Sequence, residues 1–261
     1  MCLILLAYKC HPDYPLIVVA NRDEHYSRPT AAASVWPESS GIIAGRDLQA
    51  QGTWLGVTAS GRFAAVTNYR SSDSAVPTDT SRGDLVTGFL RSSHSASQYL
   101  SDLVCGSDFY QGFNLLVFDG TTLACAANHG SDRLQILAPG VHGLSNAQMN
   151  TAWPKVTNGK ARLQTLINRP EFEIDDLVQL MLDRAVPQDR DLPETGVSLE
   201  MERLLSPAFI ESETYGTRST TAVMISNQGE VDFVERSHGG DDEERVTQRF
   251  HYSVNQETAP A

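Results

Sequence analysis

The chain has 261 residues, 41% of them are hydrophobic, and its formal net charge is −12 at pH 7. This length and hydrophobic content predict a globular protein with a substantial core. The acidic charge argues against function classes that bind through basic patches, so we expect neither nucleic acid nor an anionic membrane surface as a partner.

The cysteines and the lengths of the hydrophobic runs indicate the compartment. The four cysteines have no C-x-x-C spacing, which argues against a zinc site or a disulfide framework and favours reduced thiols in the cytoplasm. They are Cys2, Cys10, Cys105 and Cys125. No hydrophobic run reaches the roughly 18 residues of a membrane span. The N-terminal run lacks a preceding basic segment, so we expect no signal peptide.

Residues 1–24 predict a β-hairpin. Hydrophobic runs at residues 3–7 and 16–20 have the length of strands, and the second is rich in β-branched residues. A turn near Pro12 makes the numbers of cross-strand partners sum to about 24. Cys2 is therefore predicted to lie opposite Arg22, beside groups that can donate hydrogen bonds or hold charge.

The remaining elements are predicted as hairpins, short strands and helices. Turn residues between hydrophobic runs give three further hairpins, at residues 53–68, 113–127 and 220–235, and shorter strands are expected at residues 133–137 and 141–144. Hydrophobic periodicity gives four helices, at residues 81–90, 96–104, 153–167 and 174–182. Ser81, with Asp84 three positions later, resembles a capping box for the first helix. Loops are predicted at residues 27–52, 71–80, 183–207 and 239–245, with a frayed tail from Asn255.

Strands that pair as hairpins, with helices in a block between them, predict an α+β architecture of mostly antiparallel sheets. The opening strands are hydrophobic on both faces, so we expect their sheet to be covered on both sides. No repeat or low-complexity linker divides the chain, and we predict a single domain over residues 1–261.

Cys2 could carry out chemistry from the start of the chain. It becomes the N-terminal residue if Met1 is removed, which is common when residue two is small. Its thiol is then a nucleophile, and its own α-amine, with a reference pKa of roughly 7.7–8.0, is a general base. One residue would thus supply both groups that acyl transfer through a thioester requires.

Polar side chains at strand ends could complete such a site. Asn21, Asn68 and Asn146 could donate hydrogen bonds to a tetrahedral oxyanion. Asp23 could hold the α-amine, and Arg22 could steady the thiolate or a substrate carboxylate. Structural alternatives remain open, because Arg22 and Asp23 could form an ion pair and the asparagines could satisfy turn backbone.

Other polar residues near the first turn do not predict a metal or haem site. Their spacing matches no metal-ligand pattern; they are His11, Asp13, Asp23, Glu24 and His25. A Cys-His pair in a loop, at Cys10 and His11, is weak evidence for haem ligation.

Short motifs occur in order along nearly the whole chain. They are Met1-Cys2, Asn21-Arg22-Asp23-Glu24, Gly45-Arg46-Asp47, Gly52-Thr53-Trp54-Leu55-Gly56-Val57, Thr67-Asn68-Tyr69-Arg70, Ser81-Arg82-Gly83, Gly143-Leu144-Ser145-Asn146, Trp153-Pro154-Lys155 and Tyr215-Gly216-Thr217-Arg218-Ser219-Thr220-Thr221. In these motifs the chain resembles the NRDE family, also called the TANGO2 (transport and Golgi organisation 2) family. Gln51 departs from the pattern, in which a second glycine is expected before Gly52.

This family is similar in turn to N-terminal nucleophile hydrolases of the penicillin V acylase and bile-salt hydrolase type. The resemblance implies a four-layer αββα sandwich. The catalytic residues that it implies are Cys2, Arg22, Asp23, Asn68, Asn146 and Arg218. Asn21 and Trp54 are candidates for substrate binding, and neither a metal nor a cofactor is expected.

Two functions fit these observations. The first is a cofactor-free hydrolase or acyltransferase that acts on a linear amide of a small molecule through a thioester on Cys2. The second is a non-enzymatic carrier of haem or an acyl lipid on the same fold, since the family is linked to haem mobilisation and to lipid or acyl-CoA metabolism. No feature supports a third function, a scaffold for membrane traffic. Specificity would lie in the loops at residues 27–52 and 183–207.

Overall fold

The computed structural model describes residues 2–37, 41–70, 80–105, 109–239 and 246–253. Within these residues the strands are β1 (Cys2–Tyr8), β2 (Leu16–His25), β3 (Thr30–Val35), β4 (Ile42–Asp47), β5 (Leu55–Thr58), β6 (Phe63–Asn68), β7 (Phe113–Phe118), β8 (Leu123–Ala127), β9 (Leu134–Ile136), β10 (Gly140–Leu144), β11 (Tyr215–Ile225), β12 (Glu230–Ser237) and β13 (Thr247–Ser253). The α-helices are α1 (Gly83–Arg91), α2 (Ala96–Cys105), α3 (Pro154–Ile167), α4 (Ile174–Leu180) and α5 (Leu199–Leu205). Among these, no helix is both long and apolar enough to cross a bilayer.

The strands form two antiparallel sheets that pack face to face. The first sheet has the order β10-β1-β2-β11-β12-β13 and the second runs in sequence order from β3 to β9. One hydrophobic core lies between the sheets, a second lies between the first sheet and helices α3 and α4, and a third lies between the second sheet and helices α1 and α2. The predicted four-layer αββα sandwich is therefore confirmed.

The alternation of side chains along β1 explains how the first sheet is covered on both faces. Ile4 and Leu6 belong to the core between the sheets, whereas Leu3 and Leu5 belong to the core beneath the helices. Helix α3 approaches this second face closely at Gly159, where a Cβ atom would lie 2.6 Å from Leu5 Cδ1. The prediction of a doubly covered hairpin is confirmed.

The register of the opening hairpin is also as predicted. β1 and β2 are antiparallel neighbours, and Cys2 is the cross-strand partner of Arg22. On its other side β2 pairs with β11, where a bulge lies between Thr217 and Ser219. β2 is thus held by strands on both sides at the end that carries the polar NRDE sequence.

Several predicted loops are wrong. Residues 27–52 contain β3 and β4, and residues 183–207 contain α5 and a 3₁₀ turn at Asp189–Asp191. β3 is rich in small residues and half-exposed, so it lacks the hydrophobic alternation by which strands are recognised. β13 was not predicted either. Most of the predicted loops at residues 71–80 and 239–245, and the tail from residue 255, lie outside the described residues.

The start of α1 differs in detail from the predicted capping box. The N-cap is Arg82, whose side chain makes no capping hydrogen bond. Ser81 Oγ instead accepts a hydrogen bond from the backbone N–H of Gly83, at 3.1 Å. The helix begins where expected, but an arginine stands at its positive end.

Candidate active site

A cavity of about 450 Å³ lies at the ends of β1, β2 and β6. Five residues that the sequence singled out line it together: Cys2, Arg22, Asp23, Trp54 and Asn68. They come from both sheets, so the packing of one sheet on the other creates this cavity. The other residues of its wall are mainly polar or charged.

The Cys2 thiol is partly buried at the start of β1. Burial raises the pKa of this thiol, and the Asp23 carboxylate raises it further, whereas a backbone hydrogen bond from Asp23 and the Arg22 guanidinium act in the opposite direction. The net shift is upward, so the thiol keeps its proton at neutral pH. A nucleophilic role for Cys2 therefore requires a base that takes this proton.

Arg22 is held in place from three directions. Its Nη1 donates a hydrogen bond to Thr30 Oγ1 at 3.0 Å, and its Nη2 lies 3.6 Å from Asp47 Oδ2. The guanidinium carbon lies 4.1 Å from the centroid of the Trp54 ring, a cation–π contact. Burial lowers the pKa of Arg22, and the Cys2 thiolate, when it forms, opposes this shift together with the carboxylates of Glu24 and Asp47. The side chain is a fixed positive charge on the cavity wall.

Asp23 is a buried carboxyl group that interacts electrostatically with the buried ammonium group of Lys155. Its Oδ1 accepts a hydrogen bond of 2.7 Å from Thr217 Oγ1. Burial raises its pKa, and the Lys155 ammonium and the Thr217 hydroxyl oppose the shift. Lys155 Nζ donates to the carbonyl of Leu205 at 2.8 Å, and burial lowers the pKa of Lys155 to about 8 while Asp23 opposes this. The hydrogen bond from Thr217 joins β2 to β11 at the wall of the cavity.

Asn68 and Asn146 are linked to each other and to Cys2. Asn68 ends β6 and lines the cavity, and its backbone carbonyl accepts a 2.8 Å hydrogen bond from Asn146 Nδ2. Ser145 Oγ lies 3.0 Å from the Cys2 carbonyl oxygen and 3.3 Å from Asn146 Oδ1. Asn146 is fully buried and does not line the cavity. It ties the end of β6 to the segment that contacts the start of β1.

Asn21 lies on the opposite face of β2 from Arg22. Its Nδ2 donates to the carbonyl oxygens of Met181 and Ala208, at 2.9 and 2.7 Å. Its Oδ1 accepts a hydrogen bond from Thr220 Oγ1. These bonds fix it beneath the helices and outside the wall of the cavity that contains Cys2.

Arg218 also lies outside that cavity. Its Nη1 donates hydrogen bonds to the backbone carbonyls of His25, Tyr26 and Arg28. The structure thus places Arg218 under the turn that follows β2, where it holds the segment that leads to Arg28.

Comparison with known proteins identifies the family. The sequence model described as Transport and Golgi organisation 2 matches residues 1–239. The chain belongs to this family. A homologue named for Transport and Golgi organization 2 from Mus musculus is 33% identical, with 91% of this chain and 93% of the relative covered. The Homo sapiens homologue is 32% identical, with the same coverage of both chains.

Solved structures resemble the chain in fold. A variant of conjugated bile acid hydrolase from Clostridium perfringens has a TM-score of 0.50 at 10% identity, with 98% of this chain and 97% of that chain covered. A Caenorhabditis elegans orthologue of N-acylethanolamine-hydrolyzing acid amidase has a TM-score of 0.49 at 8% identity, with 85% and 92% covered. The chain thus shares the fold of the bile acid hydrolase variant.

Several charged residues of this cavity were not predicted from the sequence. Arg28 Nε lies 2.7 Å from Asp47 Oδ2 and 4.0 Å from Glu24 Oε2, and all three residues line the cavity. Arg82 lines it as well. The sequence did contain a signal for Arg82. A positive charge at the start of a helix is destabilised by the helix dipole, so an arginine in that position indicates another role for its charge.

The cavity residues do not form a metal-binding group in this family member. Within the parts of the chain that the structure describes, no three side chains of histidine, cysteine, aspartate or glutamate converge as metal ligands.

Trp54 is part of the cavity wall and partly buried against the core between the sheets.

Proposed function

We propose that this chain is a hydrolase or acyltransferase that acts on a linear amide of a small molecule, with Cys2 as an N-terminal nucleophile. The observation that carries the proposal is that Cys2 shares one cavity with Arg22, Asp23 and Asn68. A solved structure with the same fold is named as a conjugated bile acid hydrolase, which supports a hydrolase. Removal of Met1 is part of the proposal, because it frees the α-amine of Cys2.

In the first half-reaction the α-amine accepts the proton of the Cys2 thiol, and Sγ forms a bond to the amide carbon. The carbonyl oxygen becomes an oxyanion, for which Asn68 is the proposed hydrogen-bond donor. Collapse of this intermediate breaks the carbon–nitrogen bond. The leaving amine takes the proton from the α-ammonium, and a thioester remains on Cys2.

In the second half-reaction water attacks the thioester carbon and gives a proton to the α-amine. The carbon–sulfur bond breaks, a carboxylic acid leaves, and the thiolate takes the proton back. The net reaction consumes one amide and one water and yields an acid and an amine. An acceptor amine or alcohol in place of water gives the acyltransferase.

Asp23 and Arg22 have positioning roles in this scheme. Asp23 is buried, fixed by Thr217, and proposed to orient the α-amine of Cys2. Arg22 is fixed by Thr30 and Asp47, and its charge favours the thiolate over the thiol. Asn146 is proposed to act through Asn68, whose backbone it holds.

The first experiment is a peptide map after brief, limiting alkylation with iodoacetamide at neutral pH. We expect a mature chain that starts at Cys2, and alkylation of Cys2 ahead of the exposed Cys10 and the buried Cys125. Exposure alone predicts the reverse order for Cys2 and Cys10, so Cys10 is an internal control. A retained Met1, or a Cys2 that reacts more slowly than Cys10, would rule out the α-amine mechanism.

The second experiment is turnover of a panel of N-acyl amides by the wild-type chain, by Cys2→Ala and by Cys10→Ala. We expect Cys2→Ala to lose turnover by a factor of about a thousand or more, as for other nucleophiles that act with a base. Cys10→Ala should keep wild-type activity. Turnover that survives in Cys2→Ala contradicts the mechanism, and stoichiometric haem binding with a shifted Soret band, without turnover, favours a carrier instead.

A further inference from the structure

The cavity around Cys2 contains three arginines: Arg22, Arg28 and Arg82. The first two have carboxylate partners in its wall. Asp47 lies 3.6 Å from Arg22 and 2.7 Å from Arg28. Both charges are thus compensated by the protein itself.

Arg82 differs from these two arginines. Among the described residues, no carboxylate oxygen lies within ion-pair distance of its guanidinium, and its hydrogen bond is from Nη1 to the carbonyl of Gly112, at 3.1 Å. A guanidinium has five N–H donors, so most of them are available for another group. Burial lowers the pKa of Arg82, and the Cys2 thiolate, when it forms, and the Glu24 carboxylate oppose this shift.

The position of Arg82 is unfavourable for the protein on its own. A partly buried charge without a counter-ion is costly. As the N-cap of α1 it also lies at the positive end of the helix dipole. Both costs fall when an anion occupies the cavity next to the guanidinium. The same costs would remain with a neutral aliphatic group in that place.

We propose that Arg82 binds an anionic group of the substrate, a carboxylate or a phosphate, beside the bond that Cys2 attacks. This inference rests on the proposed function and names its substrate class: small amides that carry a negative charge close to the scissile bond. Two N–H donors of a guanidinium match the two oxygens of such a group, which fixes its orientation. Arg82 is then a specificity-determining residue.

The test is isothermal titration calorimetry at constant ionic strength with three probes: butyrate, inorganic phosphate and the neutral butyramide. We expect the wild-type chain to bind one or both anions and to bind butyramide at least about tenfold more weakly, because hydrogen bonds to charged groups are the stronger ones. The comparison of butyrate with phosphate shows whether the site prefers a carboxylate or a phosphate. Equal binding of butyrate, phosphate and butyramide would overturn the proposal without any variant.

Three variants locate the site. Arg82→Gln should raise the dissociation constant of the anion about tenfold or more, and Arg82→Lys should lie between it and the wild type. Arg169→Gln removes an exposed arginine beyond α3, and should leave the constant unchanged. Equal anion binding by Arg82→Gln and the wild type contradicts the role of Arg82.

Calorimetry does not require a reactive thiol, so its result is independent of the alkylation and turnover experiments. An inert Cys2 with Arg82-dependent anion binding would refute the proposed hydrolase and leave the anion site standing. A reactive Cys2 in a chain that binds anions no better than butyramide would support the proposed hydrolase and refute the anion site. A further measurement is the rate at which iodoacetamide alkylates Cys2 in the presence of the anion. Slower alkylation would show that the anion binds in the cavity that contains Cys2.

Discussion

Glu235 gives the sharpest prediction about stability, because it is a carboxyl group buried between the two sheets. It lies on β12 and is 2% exposed. Its Oε1 accepts a 2.7 Å hydrogen bond from the backbone N–H of Ala33 on β3, and its Oε2 accepts one of 3.2 Å from Thr221 Oγ1. Burial raises the pKa of Glu235 from 4.5 to about 7, and these hydrogen bonds and Arg22 oppose the shift.

The raised pKa makes the free energy of unfolding depend on pH. Between pH 4.5 and about 7 the folded chain holds a proton on Glu235 that the unfolded chain has lost, so stability falls as pH rises through this window. The shift corresponds to about 3 kcal/mol in total. The contribution is complete below the ordinary pKa of the group and is lost once Glu235 ionises in the folded chain.

Glu235→Gln tests this reasoning, because glutamine stays neutral and can keep the hydrogen bond from Ala33. We expect wild type and variant to be similar in stability near pH 5, and the variant to be more stable by about 3 kcal/mol near pH 8. Urea unfolding at a series of pH values measures the difference. Glu171→Gln, at an exposed acid, is the matched control. Parallel pH profiles for wild type and Glu235→Gln would refute the assigned pKa.

Two glycine substitutions test the packing that shapes the site. Gly159→Ala should lower the free energy of unfolding by about 1–3 kcal/mol despite better helix propensity, because the new Cβ would lie 2.6 Å from Leu5 Cδ1. Urea unfolding measures this loss. The loss should be smaller in a chain that also carries Leu5→Val, because the shorter side chain makes room for the new Cβ. Gly45→Ala would bring a Cβ to 2.4 Å from Trp54 Cη2, so we expect Trp54 to move off Arg22. Tryptophan fluorescence and the rate of Cys2 alkylation should both change, and unchanged values contradict the role of this stack.

The parts of the fold that depend on local pattern were predictable from the sequence. The pairing of Cys2 with Arg22 follows from a hairpin whose turn lies nearby in the chain. Helices α1 to α4 follow from periodic hydrophobic residues. β3 and β13 were missed because each is largely half-buried or exposed, so the hydrophobic alternation of a strand that packs on a core is weak. An edge strand is recognisable mainly through its partner, which the sequence pattern does not specify.

The site residues also differ in how far local sequence pattern determines their positions. Asn21 was expected at the site together with Arg22, but the two side chains lie on opposite faces of β2, as strand alternation requires, and Asn21 is outside the cavity. The positions of Asn146 and Arg218 depend on contacts with residues far away in the chain, so their distance from the cavity was not predictable. The ion pairs of Asp47 with Arg22 and Arg28 depend on β4, which was predicted as a loop.

The pairing of β2 with β11 has a consequence for synthesis on the ribosome. Asn21 pairs with Thr220, so two segments about 200 residues apart must meet before the first sheet is complete. The second sheet is built from one continuous stretch, β3 to β9, and can form earlier. Non-local strand pairing is slow, and domains emerge from the N-terminus onwards. We therefore expect the thiol of Cys2 to leave the exit tunnel among the first residues, yet to acquire its full surroundings only when nearly the whole chain has been made.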